Sequence, residues 1–382
     1  MSGAVQGETL RLLAWYDANR RILPWREDPT PYHVWLSEIM LQQTRVEAVK
    51  KYYARFIERL PDIRALSEAD EDTCSKLWEG LGYYSRVRNL RKAAIVIERE
   101  YGGVMPGTRK NLAKLPGIGA YTSAAIASIA FGEPVPAVDG NLQRIFARRT
   151  ACEEEIGTPA VRDAAEVFFQ ERIPDNRPGD YNQALMDLGA MICLPNGAPK
   201  CTDCPWEGDC LARREGREKA LPVPKKKKEK RVEELTVLLV RTKDMVLIRK
   251  REETGLLAGL FEFPNETGHL TEQEAEAFLL QEGLLPLSVR ELPPARHVFT
   301  HLVWEMTGYE IWVREPREGD PCLPEGEKFV SLPEAAAVCS IPSAFAVYKK
   351  ILYQRKSATE PSAPREGAGR RARRSPGPDR KG

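Results

Sequence analysis

An acidic residue with apolar neighbours stands out in the stretch VWLSEIMLQQTRV, residues 34–46. At helical spacing Val34, Trp35 and Leu41 share a face with Glu38, because they lie at its i−4, i−3 and i+3 positions. A buried carboxylate is costly unless it finds a partner or keeps its proton. A glutamate with a purely structural role is the alternative interpretation.

A second acid, Asp139, precedes a segment with Leu142, Ile145 and Phe146 on one helical face. Taken alone, this aspartate is best interpreted as the N-cap of that helix. A second acid near Glu38 would add another possibility. Two carboxylates that flank a glycosidic bond can cleave it, since one protonates the leaving group and the other stabilises the sugar cation.

Four cysteines lie in the stretch CLPNGAPKCTDCPWEGDC, separated by seven, two and five residues: Cys193, Cys201, Cys204 and Cys210. Four thiolates this close in sequence can surround one metal centre. Ordinary cysteines or two disulfides are the alternatives, and the spacing alone does not choose between metals. The other four cysteines lie alone in the sequence and are interpreted as core or surface residues.

A glycine-rich turn, LPGIG, joins two helical segments at residues 115–119. Gly117 and Gly119 supply backbone conformations that other residues resist. The next helix begins with free backbone N–H groups, which suit a DNA phosphate without sequence preference. Lys114 precedes the turn and is predicted to meet phosphate. A plain helix–helix turn is the alternative.

The elements that must position these residues differ between the two halves of the chain. Apolar residues recur at helical spacing in 8–18, 32–59, 67–80, 86–101, 121–131 and 160–172. Beyond a basic, Pro-containing connector, β-branched and aromatic residues dominate ELTVLLV, DMVLIRK and residues 297–313, and EQEAEAFLLQEG is typical of a helix. The sequence thus predicts four parts: a helical domain (1–215), a basic linker (216–231), an α+β domain (232–352) and a disordered basic tail (353–382).

Charge and hydropathy narrow the function classes only modestly. The net charge of +2 does not mark a nucleic-acid binder, but the KKKKEKR run and the tail are strongly basic. We expect both to add salt-sensitive attraction to DNA. No signal-peptide pattern or membrane-spanning stretch is found. The expected location is therefore intracellular: cytoplasmic in a bacterium, or nuclear in a eukaryote.

Several of these motifs occur together in one family. The chain resembles the A/G-specific adenine DNA glycosylases of the helix-hairpin-helix superfamily. The resemblance rests on LPWR (23–26), PYHVWLSEIMLQQTRV (31–46), WEGLGYYSRVRNL (78–90), LPGIGAYTSAAIAS (115–128), AVDGNLQRI (137–145), NQALMDLGAMIC (182–193), the cysteine loop, TGLLAGLFEFP (254–264) and HVFTHLVW (297–304). It covers roughly residues 8–350.

The resemblance implies a fold and a set of catalytic roles. The fold is a helical glycosylase domain with a cysteine loop, followed by a Nudix-like α+β domain. Glu38 would protonate the adenine, with its apolar surroundings raising the carboxyl pKa, and Asp139 would stabilise the sugar cation. Asn141 and Tyr121 would position these groups and the nucleophile. The tyrosine stands where strand-cleaving relatives carry a lysine, so base removal without efficient strand nicking is expected.

The same resemblance implies a cofactor and DNA contacts. The four cysteines would hold a [4Fe–4S] cluster, although the first gap is one residue longer than the usual six. Gln43 and Tyr83 would act at the lesion pair, and Arg26 would line the adenine pocket; for Tyr83 and Tyr84 an aromatic core pair is the alternative. Phe299, Thr300 and His301 would recognise 8-oxoguanine, with threonine in place of the usual serine.

These observations lead to one prediction of function. The chain is expected to be a monomer that binds double-stranded DNA, flips out adenine mispaired with 8-oxoguanine or guanine, and removes it hydrolytically. A relative acting on thymine or an oxidised pyrimidine, or a lesion-binding module without catalysis, is the alternative. Pyrophosphatase activity is not expected, because no Arg-Glu-x-x-Glu-Glu box follows Gly255 and Glu262.

Overall fold

A computed structural model describes residues 3–225, 229–315, 317 and 322–354. The chain divides into two compact units. The first contains the chain up to Glu229 with Glu252–Leu260 and Val338–Ser343; the second contains Lys230–Arg251, Phe261–Ala337 and the chain from Ala344. The tail from residue 355 and three of the linker lysines lie outside the described residues.

The first unit is helical, as the apolar spacing predicts. Its helices are α1 (Gly3–Asn19), α2 (Pro24–Glu27), α3 (Pro31–Leu41), α4 (Val46–Arg59), α5 (Ile63–Glu68), α6 (Glu71–Leu77), α7 (Ser85–Tyr101), α8 (Arg109–Leu112), α9 (Ala120–Phe131), α10 (Gly140–Arg149), α11 (Pro159–Gln170), α12 (Pro178–Met191) and α13 (Leu211–Arg214). Two short 3₁₀ turns lie in the cysteine loop.

Side-chain caps explain several helix starts. Thr30 accepts a hydrogen bond from the backbone N–H of His33 at the start of α3, and Asp62, Asp70 and Thr158 cap their helices in the same way. The predicted 32–59 segment is two helices, because α3 ends before a turn in which Gln43 adopts a left-handed conformation, with φ of 57°.

The first unit has two large hydrophobic cores. One includes Trp35, Phe56 and Trp78 and contains the apolar side of α3. The other packs α1, α10, α11 and α12 around Leu12, Leu185 and other apolar side chains. Helix α9 packs against both α3 and α12, and α12 packs against α10, so α9 and α12 connect the elements that carry the predicted catalytic residues.

The second unit contains a mixed seven-stranded sheet: β1 (Arg231–Arg241), β2 (Met245–Lys250), β3 (Phe261–Glu262), β4 (Asn265–Thr267), β5 (Pro286–Val298), β6 (Leu302–Val313) and β7 (Glu327–Ser331). The main order is β3-β2-β1-β6-β5; among the described strands the β1–β6 pairing is parallel and the other pairings are antiparallel. Helices α14 (Glu272–Gln281), α15 (Leu332–Ala337) and α16 (Ala346–Gln354) complete it.

The sequence pattern predicts most of this second unit. ELTVLLV and DMVLIRK lie in β1 and β2, and α14 has a complete capping box between Thr271 and Glu274. The β-rich segment 297–313 is interrupted by a turn at 299–301, which joins β5 to β6. Within the part of the chain that the structure describes, no helix is both long and apolar enough to traverse a lipid bilayer.

Candidate active site

The two predicted catalytic acids line the same cleft. This cleft has a volume of about 790 Å³ and lies between α3, the turn before α9, the start of α10 and α12. Arg26, Gln43, Gly117, Gly119, Tyr121 and Asn141 also line it. These predicted site residues are far apart in the sequence, yet they line one cleft in the first unit.

Glu38 is a buried acid, only 6% exposed, on the apolar side of α3. Burial raises the pKa of its carboxyl group to about 7, and the negative charge of Asp139 adds to this rise. A hydrogen bond from Tyr121 and the positive charge of Arg26 oppose it. The group therefore holds its proton close to neutral pH, which is what a general acid requires.

Tyr121 lies in the first turn of α9 and forms a direct hydrogen bond with Glu38. Its hydroxyl donates to Oε2 of Glu38 at 2.6 Å and also approaches Sδ of Met186 at 3.9 Å. Burial and the neighbouring acids raise its own pKa well above the usual 10, so the phenol remains neutral and donates.

Asp139 is the N-cap of α10, as the local pattern predicts, and both of its carboxylate oxygens accept hydrogen bonds. Oδ1 accepts from the backbone N–H of Leu142 at 2.9 Å, and Oδ2 accepts from Nδ2 of Asn141 at 2.7 Å. Burial raises the Asp139 pKa, whereas these hydrogen bonds and the positive charge of Arg144 favour the ionised form. The N-cap geometry and the catalytic interpretation are therefore compatible.

Asn141 is itself held in place by a buried arginine and a glycine. Nη2 of Arg144 donates to Oδ1 of Asn141 at 2.8 Å and to the carbonyl of Gly189 at 2.9 Å. A Cβ atom at Gly189 would lie 2.8 Å from Cβ of Asn141, so only glycine allows α12 to approach this closely. Arg144 also donates through Nε to the carbonyl of Cys193, at 2.8 Å.

Arg26 lies in the cleft wall and is fixed by an acid that the sequence analysis missed. Nη1 and Nη2 of Arg26 donate to the two carboxylate oxygens of Asp187 at 2.8 and 3.0 Å. Asp187 is completely buried in α12, and Nε of Arg21 also donates to it, at 2.7 Å. Hydrogen bonds from Arg26 and the two positive charges outweigh burial and hold the pKa of Asp187 below its usual range.

The glycine-rich turn has the predicted conformation at Gly117, but the prediction is wrong for Gly119, whose backbone is extended (φ of −84°) with open space where a Cβ atom would lie. Gly117 has φ of 73°, and a Cβ atom there would lie 2.6 Å from Cβ of Asn89, so glycine is required on both counts. Gly119 is the N-cap of α9, and no side chain caps this helix start. Lys114 is exposed and donates to Asn111 at 3.1 Å; its contact with phosphate remains a prediction.

Gln43 and Tyr83 are exposed residues with left-handed backbones, at φ of 57° and 49°. Tyr83 is 48% exposed, whereas its neighbour Tyr84 is 5% exposed and belongs to the core. The alternative interpretation of the two tyrosines as an aromatic core pair is therefore correct for Tyr84 and wrong for Tyr83.

The four loop cysteines line one small cavity, together with Arg148 and Trp206. All eight cysteines of the chain are free thiols, so the disulfide alternative is not realised. Nη1 of Arg148 lies 3.1 Å from Sγ of Cys193, and burial raises the pKa of Cys204 to about 12. Among the described residues, the side chains as placed form no group of three or more His, Cys, Asp or Glu that could hold a metal ion.

Phe299, Thr300 and His301 form the turn between β5 and β6, with Thr300 and His301 exposed. The backbone N–H of Phe299 donates to the carbonyl of Leu302 at 2.8 Å, which closes the turn. The Phe299 ring packs against those of His297 and Trp304, with centroids 4.6 and 4.9 Å apart. The triplet is thus a supported, outward-facing turn, and the alternative of a buried strand triplet is wrong.

Glu262, which could belong to a Nudix metal-binding motif, forms ion pairs with two arginines of the second unit. Nε of Arg249 donates to its Oε1 at 3.0 Å, and Nη1 of Arg251 donates to its Oε2. Two guanidinium groups therefore take the carboxylate oxygens that a divalent cation would need.

Comparison with known proteins identifies the family. Residues 36–171 match the HhH-GPD superfamily of base excision DNA repair proteins, and residues 236–348 match the NUDIX domain. The chain is 33% identical to a human adenine DNA glycosylase over 403 aligned residues. The alignment covers 88% of this chain and 73% of the human protein. It is 36% identical to the mouse protein of that name (76% and 68% covered) and 32% identical to one from Buchnera aphidicola subsp. Acyrthosiphon pisum (76% and 83%). Given these similarities and the two acids in one cleft, the chain belongs to the adenine DNA glycosylase family.

Proposed function

We propose that this protein removes adenine from double-stranded DNA where adenine is mispaired with 8-oxoguanine or guanine. The observation that carries the proposal is the cleft in which Glu38, with its pKa raised to about 7, faces the same space as Asp139. One acid that keeps its proton and another whose oxygens accept hydrogen bonds form the pair that glycosidic cleavage needs. The relatives are named for adenine, which disfavours thymine or an oxidised pyrimidine as the target.

The first step of the proposed mechanism is protonation of the extruded adenine. The Tyr121 hydroxyl occupies Oε2 of Glu38 as a donor, so Oε1 is the oxygen left to carry the proton. Protonation makes the base a better leaving group, and the bond between the base and the deoxyribose then breaks. Glu38 is left ionised, and the hydrogen bond from Tyr121 stabilises that charge.

The second step is stabilisation of the sugar cation. Asp139 supplies a negative charge whose position is fixed by the Leu142 N–H and the Asn141 amide. Water then adds to the sugar carbon that held the base, and its proton returns to the ionised Glu38, which completes the hydrolysis. The first turn of α9 offers Tyr121 where a lysine would allow Schiff-base chemistry, so the proposed reaction ends at an abasic site with little strand cleavage.

Recognition of the opposite base is assigned to the Phe299–His301 turn. The turn presents a hydroxyl and an imidazole on an aromatic support, and such polar groups can distinguish 8-oxoguanine from guanine by hydrogen bonding. We propose that the protein acts as a monomer. The basic linker and tail would add salt-sensitive affinity for the phosphate backbone.

We propose that Cys193, Cys201, Cys204 and Cys210 hold a [4Fe–4S] cluster. Four thiols around one cavity, with Arg148 beside one sulfur, are a suitable donor set. When bound, the cluster would hold the loop together, and the purified protein should then be brown and contain iron. A colourless protein with zinc would contradict this assignment.

The proposed reaction is tested by single-turnover assays on duplexes that hold adenine opposite 8-oxoguanine, guanine, cytosine or thymine. Each reaction is analysed with and without alkaline treatment, because alkali cleaves abasic sites and so separates base loss from nicking. We expect product only after alkali, and mainly opposite 8-oxoguanine and guanine. Glu38→Gln should release no adenine but still bind the duplex; full activity in this variant would remove Glu38 from the acid role.

A further inference from the structure

A buried arginine, Arg86 in α7, connects the helix of the general acid to two exposed residues predicted to act on the base pair. We propose that Arg86 is a positioning residue that holds Gln43 and Tyr83 in a fixed place relative to Glu38. Base extrusion and base protonation would then depend on one rigid group of residues. This inference rests on the proposed function.

The first set of contacts joins Arg86 to the end of α3. Its Nη1 donates to the backbone carbonyls of Ile39 at 2.8 Å, Met40 at 3.0 Å and Gln42 at 2.7 Å. The carbonyls in the last turn of a helix have no partner within the helix. Arg86 therefore supplies a cap for the helix that carries Glu38, and it fixes the peptide group that precedes Gln43.

The second set of contacts joins Arg86 to the loop before α7. Nη2 donates to the carbonyls of Leu81 at 3.2 Å and Gly82 at 3.0 Å, and Nε donates to that of Tyr83 at 3.4 Å. The guanidinium carbon also lies 5.2 Å from the ring centroid of Trp78 and 5.7 Å from that of Tyr83. One side chain thus contacts both loops.

The burial of this side chain and the number of its acceptors explain why the position requires an arginine. Arg86 is 9% exposed, and among the described residues its hydrogen-bond acceptors are carbonyl and hydroxyl oxygens, with no carboxylate. A buried cation without a counter-ion is costly unless its donors are satisfied. The planar fork of arginine can reach several carbonyls at once, whereas lysine offers one compact charge.

The backbone conformations of Gln43 and Tyr83 indicate what the hydrogen bonds from Arg86 do. Gln43 and Tyr83 both adopt positive φ, which costs a residue with a side chain free energy unless its surroundings impose it. Arg86 binds the carbonyl just before Gln43 and the carbonyl of Tyr83 itself. We infer that these hydrogen bonds impose the two strained conformations and so present both side chains outward.

The test compares Arg86→Lys with Arg91→Lys in the full-length protein. Arg91 is a matched control, because it also lies in α7 and donates to a carbonyl, that of Ala69, at 2.5 Å. Extrusion is followed by the fluorescence of 2-aminopurine placed at the target adenine, in a Glu38→Gln background that prevents cleavage. Adenine release is followed by single-turnover rates across pH.

Arg86→Lys should lower both the fluorescence change and the release rate by at least about tenfold, as expected for losing a charge-assisted hydrogen bond. The pH at which the rate falls should not move, since Glu38 keeps its own surroundings. In a Gln43→Ala/Tyr83→Ala background, Arg86→Lys should lower the fluorescence change and the release rate by less than about twofold, because the side chains through which Arg86 acts are absent. Arg91→Lys should change neither readout.

Equal losses from Arg86→Lys in both backgrounds would overturn the inference, as would unchanged extrusion in a folded Arg86→Lys protein. Should that variant not fold, Thr44→Val removes one acceptor of Nη2, at 3.4 Å, and leaves the arginine in place. Its effect on extrusion must then disappear when Gln43 is alanine, or the inference fails. The proposed function is tested separately, by adenine release from the unmodified protein.

Discussion

The hydroxyl of Tyr121 donates a 2.6 Å hydrogen bond to Oε2 of Glu38, and so connects the first turn of α9 to the buried face of α3. This contact favours the ionised carboxylate, whereas burial favours the protonated form. Burial has the larger effect, which leaves the Glu38 pKa at about 7. The tyrosine therefore moderates the acid so that it can both give up and regain its proton near neutral pH.

Tyr121→Phe should move the pH dependence of adenine release upward. The phenylalanine cannot donate to Glu38, so the ionised form loses support and the pKa of the acid rises above about 7. The single-turnover rate of the unmodified protein should fall as the pH rises through about 7, and that of the variant should fall at higher pH. A decline at the same or a lower pH in the variant would contradict the assigned role of the hydrogen bond.

Glu38→Gln should stabilise the folded protein above neutral pH. The folded-state pKa is raised from 4.5 to about 7, so the folded state binds more protons than the unfolded state between these values, and stability is lost as the pH rises through that window. Glutamine does not titrate. The gain in unfolding free energy should be ~3 kcal/mol at pH 8 and vanish near pH 4. Urea unfolding at both pH values measures it, and an equal difference at both would contradict the raised pKa.

Asp187→Asn should weaken both the fold and the active site. The buried carboxylate holds Arg26 and Arg21, and removing one partner of such a buried pair costs about 3 kcal/mol. Arg26 would also lose its fixed place in the cleft wall, so single-turnover adenine release should slow. Asp180→Asn is the control on the same helix, because the Asp180–Arg177 ion pair is partly exposed and should matter little. Equal unfolding free energies for the two variants would argue against this role of Asp187.

Replacing Thr300 and His301 by alanine should reduce the preference for 8-oxoguanine over guanine opposite adenine. The rate on duplexes with guanine should change little, because the turn carries no group of the cleft. His269→Ala is a matched control, since His269 is another exposed histidine of the second unit. Deleting residues 232–382, which also removes Glu252–Leu260 and Val338–Ser343 of the first unit, should have the same direction of effect. Unchanged discrimination after that deletion would place lesion recognition in the helical unit.

The sequence predicts the helical unit and the second unit well, for a physical reason. Helices α4 and α11 each have one strongly apolar face, the strands β1 and β2 are rich in β-branched residues, and both features depend only on near neighbours in the chain. The convergence of Glu38 with Asp139 could not follow from spacing alone, because 100 residues separate them. The family resemblance supplied that expectation, and the cleft agrees with it.

Asp187 and Arg86 were missed for related reasons. Asp187 carries the signal that singled out Glu38, an acid with apolar neighbours at helical spacing (Ala184 and Met191), but its partner Arg26 lies 161 residues away. Arg86 donates to backbone carbonyls, which are present at every residue. No pattern of side chains in the sequence can therefore predict which carbonyls an arginine will bind. The outward turn of Tyr83, beside the buried Tyr84, depends on a backbone angle that two adjacent tyrosines do not encode.

The close approach at Gly189 limits how this protein can vary. Even one methyl group there would overlap Asn141 and press on Arg144, and through Asn141 it would displace Asp139. A library of substitutions selected for adenine release should therefore be as depleted at this position as at the acids. Tolerance to amino-acid replacement in this enzyme is set by helix spacing as well as by chemistry.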